Sequence, residues 1–135
     1  MSSVTLSKVA SIQRAVKRAR EEFSAAGPGF ASDLTHQDAA VLNVLRACET
    51  SIDLAQSLVR ERALGVPASN RDVFRLLAEA GLLPADLAGR LQRMVGFRNV
   101  AVHRYRDLDP DILASVIARD LDDLLEFSER VARIE

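Results

Sequence analysis

The sequence predicts an all-α fold, an up-and-down bundle of four long helices plus one short helix, on three observations. Apolar residues recur by threes and fours along each long segment instead of alternating. The composition, 48% hydrophobic but only 4% aromatic and rich in Ala, Leu, Arg, Asp and Glu, lacks the β-branched runs that strands require. Proline, glycine and capping residues stand at the ends of those segments. At 135 residues the chain fits one domain, residues 1–135, large enough to bury roughly two-thirds of its unfolded surface without staples.

Taken in order, residues 5–25 place Leu6, Val9, Ile12, Val16, Ala19 and Phe23 on one helical face, with Lys17/Glu21 and Arg18/Glu22 as i, i+4 pairs outside it. Residues 26–33 (AGPGFASD) read as a loop. Thr35 and Asp38 then form a capping-box pattern for a second helix running to about Arg62. Its apolar positions fall on two stripes, Val41, Leu45, Cys48, Ile52, Ala55, Val59 and Val44, Ala47, Leu54, Leu58, so it should lie at the centre of the bundle. Gly65 and Pro67 end it. Ser69 and Asp72 cap a short helix over 71–80, which Gly81 terminates. Pro84 suits the first position of a fourth helix, about 85–103, burying Leu87, Leu91, Met94, Val95 and Val102. Asp109-Pro110-Asp111 starts the last helix, which runs to near Arg133 with Leu113, Val116, Ile117, Leu121, Leu124 and Val131 inward.

Composition also excludes. One cysteine, Cys48, permits no internal disulfide and no cysteine zinc cage, and its apolar stripe marks it as a core residue. No apolar run approaches the ~20 residues of a membrane span and no secretory leader pattern is present, so a cytoplasmic location with no membrane partner is expected. A pI near 6.1 argues against diffuse coating of nucleic acid, so any polyanion contact should be local. His36, in the first turn of the second helix, reads as a surface residue.

The local concentration is clear: from Arg90 to Arg106 the chain carries Arg90, Arg93, Arg98, Arg104, Arg106 and His103, with no Asp or Glu. The only tyrosine, Tyr105, lies inside it. On a regular helix Arg98 and His103 diverge by about 140°, whereas Arg98 and Tyr105 share a face. Either the helix distorts near His103 or a second copy supplies the complementary group across a two-fold interface. Metal chemistry lacks ligands here, and five arginines repel a cation. No cofactor motif, such as a Gly-rich phosphate loop, is present, and no serine or cysteine stands beside His103 for acyl transfer. What fits is metal-free phosphodiester cleavage of RNA, which carries its own 2′-hydroxyl nucleophile. A histidine can move protons near neutral pH, and arginines can take the charge that a phosphate gains in the transition state.

The stretch RNVAVHRY (98–105) resembles the Rx4HxY signature of HepT-like toxins within the HEPN superfamily, with Arg98, His103 and Tyr105 in the signature positions and Asn99 after the Arg. The likeness extends through KVASIQRAV, QDAAVLNVLRACETSIDLA, GVPASNRDVFRLLAEAGLLP and RMVGFRNVAVHRY. Arg104 departs from it, since an acid is frequent at that place. The resemblance implies a helical homodimer acting as a metal-independent ribonuclease, the toxin of a type VII-like toxin–antitoxin system. It also implies a partner, an MNT-type nucleotidyltransferase antitoxin that transfers AMP to the signature tyrosine. By carry-over His103 is the acid/base group, Arg98 the phosphate-binding group, Asn99 a supporting residue and Tyr105 the modification site, with Arg90, Arg93, Arg104 and Arg106 as RNA-binding candidates. The alternative is a non-catalytic helical companion of a nucleotidyltransferase that binds nucleotide in its cleft.

Overall fold

The computed structural model describes residues 2–134, which are helical almost throughout and form no strand among themselves. α1 (Ser3–Ala26) starts at Ser2, whose hydroxyl accepts from the Thr5 N–H at 3.1 Å. It buries Val9, Ile12, Ala15, Val16 and Ala19, but Leu6, expected inward, is 52% exposed because the bundle begins one turn later. Gly27 closes α1 with a positive φ of 60°, a conformation that a side chain would oppose. The expected loop is instead a run of 3-10 turns, Gly27–Ser32, drawn inward by Phe30. That ring is buried and meets Phe23 edge-on at 4.9 Å, and the Gln37 amide donates to the Phe30 carbonyl at 2.7 Å.

α2 (Leu34–Glu61) is the central helix, packed against α1 over its length and also against α3, α4 and α6. Its cap is Asp33, not Thr35: the carboxylate accepts the His36 N–H at 3.0 Å and lies 2.6 Å from His36 Nδ1. The backbone bond, then the ring, holds the Asp33 carboxyl below its usual range. Asn43 and Ser51 are buried among the apolar residues and return their donors to Ala39 and Ala47 carbonyls one turn back. α3 (Asn70–Glu79) has the expected Ser69 cap, and Asp72 reaches back to the Ala68 N–H at 2.8 Å. Pro84, with ψ 146°, stands one place outside α4 (Ala85–His103) as its N-cap.

α4 buries Leu87, Ala88, Leu91, Met94, Val95 and Ala101, so the seam passes beside Val102, which is 46% exposed instead of inward. Arg104 leaves the helix at φ −138°, and Tyr105–Asp107 make a single 3-10 turn. Asp109 then caps α5 (Pro110–Ser115) through the Asp111 N–H at 2.8 Å. A wide π turn, Val116–Asp120, joins α5 to α6 (Leu121–Arg133). There Arg20 of α1 donates to the Ile117 carbonyl at 3.0 Å and to Asp122 at 2.8 Å, satisfying a carbonyl on the widened turn. Phe127 of α6 meets Phe74 of α3 edge-on at 5.6 Å in the core. Among the described residues no helix is long and apolar enough to cross a membrane.

Candidate active site

The motif occupies the C-terminal end of α4 and the turn after it. Arg98 is mostly covered, with 21% of its side chain exposed. Its Nε donates to the Glu49 carboxylate of α2, and Nη1 donates to Asn99 Oδ1 at 2.9 Å. The guanidinium is therefore aimed by two acceptors, one from across the bundle. His103 is the last helical residue and stands exposed in solvent. Five residues of helix put its Cα about 7.5 Å further along the axis than that of Arg98, on a diverging face. Within one chain the two are neighbours along α4, not a pair aimed at one atom.

Tyr105 is not on that helix. Because α4 stops at His103, the helical phase that would align Tyr105 with Arg98 does not reach it. Its phenol instead crosses to α2 and donates to the Asp38 carboxylate. Partial burial, with the neighbouring Asp38 adding to it, pushes the phenol up to about 12. Beneath it lies a cavity of about 420 Å³ whose walls include Leu34, Gln37, Val41, Tyr105, Arg106 and Leu113.

The arginines separate into two groups. Arg90, about 20 Å of helix from His103, is ringed by Asp86 at 3.0 Å, Asp123 at 2.9 Å and Glu126 at 3.7 Å. Arg93, exposed, shares a small surface cavity with it at the α6 side. Arg104 and Arg106 are exposed beside His103 and Tyr105, and Arg104 makes only a loose 3.8 Å contact with Asp107. The acid-free stretch of sequence is thus neutralised at Arg90 by α6 and remains open at its other end. Val100 and Val102, 39% and 46% exposed, alternate there with Asn99 and His103.

Three features escaped the sequence reading. Glu49 and Asp38 are the partners of the motif's arginine and tyrosine, and a groove of about 520 Å³ between α1 and α2 is walled by Arg14, Arg18, Arg46 and Glu49. Glu49 is one polar residue among several on α2 and Asp38 carries a capping signal there, so neither pattern names its partner. Among the described residues no group of three or more His, Cys, Asp or Glu side chains is placed to hold a metal ion.

Fold and motif together define a helical domain of the HEPN type, its arginine and histidine at the end of the fourth helix. A model of the ribonuclease HepT-like family matches residues 12–131, and the chain belongs to that family. It is 40% identical over 127 residues to the mRNA nuclease HepT of Shewanella oneidensis, covering 94% of this chain and 95% of that protein. The fold matches that of the tri-AMPylated Shewanella oneidensis HEPN toxin in complex with MNT antitoxin, with a TM-score of 0.92 at 38% identity over 100% of both chains. A toxin–antitoxin crystal structure with AMP-PNP gives a TM-score of 0.90 at 37% identity, over 97% of this chain and 99% of that one.

Proposed function

We propose that this chain is the toxin of a type VII-like toxin–antitoxin pair, a cytoplasmic ribonuclease that cuts RNA without a metal ion and is silenced by AMP placed on Tyr105. The observation that carries the reading is the end of α4, where Arg98 is held by Glu49 and Asn99 while His103 stands free. In this mechanism His103 moves the proton of the 2′-hydroxyl or of the leaving oxygen, and Arg98 receives the charge that builds on the phosphate. Arg104 and Arg106 hold the RNA backbone, with Arg93 further along the helix, whereas Arg90 is engaged by Asp86, Asp123 and Glu126. Because Arg98 and His103 diverge, a homodimer with its two motif helices facing each other completes the site, one His103 serving as base and the other as acid. The likeness to a tri-AMPylated toxin bound to its MNT antitoxin supports a nucleotidyltransferase as the cognate partner. AMP on the phenol brings a phosphodiester charge beside Arg104 and Arg106, where it competes with RNA.

The test is cleavage of a defined RNA by purified wild type, Arg98→Ala and His103→Ala in the presence of chelator. Each variant is expected to lose at least about a hundredfold while retaining the helical circular dichroism spectrum. Activity that persists in His103→Ala, or that disappears with chelator in the wild type, removes the mechanism.

A further inference from the structure

Asp38 lies in the second turn of α2, exposed, and the hydrogen bond it receives comes from the Tyr105 hydroxyl, 67 residues away in sequence. Many other acids of this structure answer arginines: Glu22 to Arg18, Glu49 to Arg98, Asp123 to Arg90, Asp122 to Arg20. Asp38 has no such cation among the described residues, and the group its carboxylate accepts from is the Tyr105 hydroxyl. Its partner is a phenol that stays protonated at neutral pH, pushed up to about 12 by burial and then by Asp38 itself. A neutral phenol is a weak nucleophile toward phosphorus. It must lose its proton as the new bond forms, and the one acceptor already bonded to that proton is Asp38.

We propose that Asp38 is the general base for AMP transfer to Tyr105, so that this chain, rather than the nucleotidyltransferase that binds ATP, supplies the proton acceptor for its own modification. The proposal rests on the reading of Tyr105 as the AMP acceptor. In the step, the Tyr105 O–H bond breaks and its proton passes to an Asp38 carboxylate oxygen. The phenolic oxygen forms a bond to the α-phosphorus of ATP, and the bond from that phosphorus to the bridging oxygen breaks, its electron pair leaving with pyrophosphate. Asp38 then returns the proton to water. Any further AMP must be attached to a hydroxyl of the nucleotide already added, since the phenolic oxygen is then an ester. That hydroxyl lies a nucleotide's length from Asp38, so the base serves the first addition alone.

The experiment is a time course of AMP addition by the co-purified nucleotidyltransferase and ATP, followed by intact mass, on wild type, Asp38→Asn, Asp38→Glu and Asp38→Ala. Asparagine keeps an acceptor oxygen but is a far weaker base. The first addition is expected to slow about a hundredfold in Asp38→Asn, to recover in part in Asp38→Glu, and to recover in Asp38→Asn when Tyr105 is replaced by a more acidic fluorotyrosine. Chains that already carry one AMP should gain the next at the wild-type rate. First addition at the wild-type rate in Asp38→Asn overturns the proposal, as does equal slowing of every addition or a matching loss of partner affinity, either of which marks a docking residue. A wild-type chain that takes no AMP on Tyr105 instead overturns the underlying reading, and is seen in the same time course before any variant is compared.

Discussion

Arg98 keeps its place through Glu49, an acid that arrives from the middle of the central helix. A charge-assisted hydrogen bond of this kind is worth about 1.5–3 kcal/mol, so if its loss is felt wholly in the transition state, Glu49→Gln should lower kcat for RNA cleavage about ten- to a hundredfold. The check is kcat on a defined RNA together with a thermal melt; a fully active Glu49→Gln would mean that Arg98 needs no fixed orientation. The motif itself was legible because Arg98, Asn99, His103 and Tyr105 are neighbours in sequence. Their partners were not, because a helical wheel tells which side a residue faces and not which helix stands opposite. The same blindness made Arg90 look free, although Asp123 and Glu126 reach it from α6. Tyr105 misled in another way, since its apparent alignment with Arg98 assumed helical phase beyond the point where α4 stops.

At the level of elements, the five helical segments were legible from period and punctuation, and Ser69, Gly81 and Asp109 do what their residue types require. Two local features were not. The 26–33 segment looked like open loop because its Gly-Pro-Gly content outweighed one phenylalanine, yet burial of Phe30 winds Gly27–Ser32 into turns. The π turn left no mark, since the two successive spacings of four at Leu113, Ile117 and Leu121 recur at Leu87, Leu91 and Val95 in the regular α4. The bond from Arg20 to the Ile117 carbonyl gives that turn an observable cost. Arg20→Met, which keeps the aliphatic stem and loses the donors, should destabilise the fold by about 1–3 kcal/mol. Urea unfolding measures it, and an unchanged midpoint would show that the turn holds without α1.

For the whole molecule, the exposed end of α4, with Val100 and Val102 between Asn99 and His103, is the surface through which two copies should meet. Sedimentation at micromolar concentration is expected to give a dimer, and Val102→Asp should shift it toward monomer and reduce RNA cleavage in step; a fully active monomer would contradict the shared site. Family and fold were legible together because the bundle's core and the motif belong to the same few segments, whereas assembly depends on surface that no periodicity describes. One buried atom offers a way to watch all of this. Cys48 sits beside Glu49 in the centre of α2, 2% exposed, its thiol pushed up to about 12 chiefly by burial and then by the Glu49 charge. It is the only thiol in the chain, so a colourless reagent that turns yellow on reaction becomes a stopwatch for the moments when the bundle comes apart. Under native conditions the colour should develop far more slowly than with a free thiol. Anything that grips the folded molecule, whether RNA, a second copy or the partner, should slow it further by the factor 1 + [L]/Kd, so that affinity for the site could be read from a clock that never touches it.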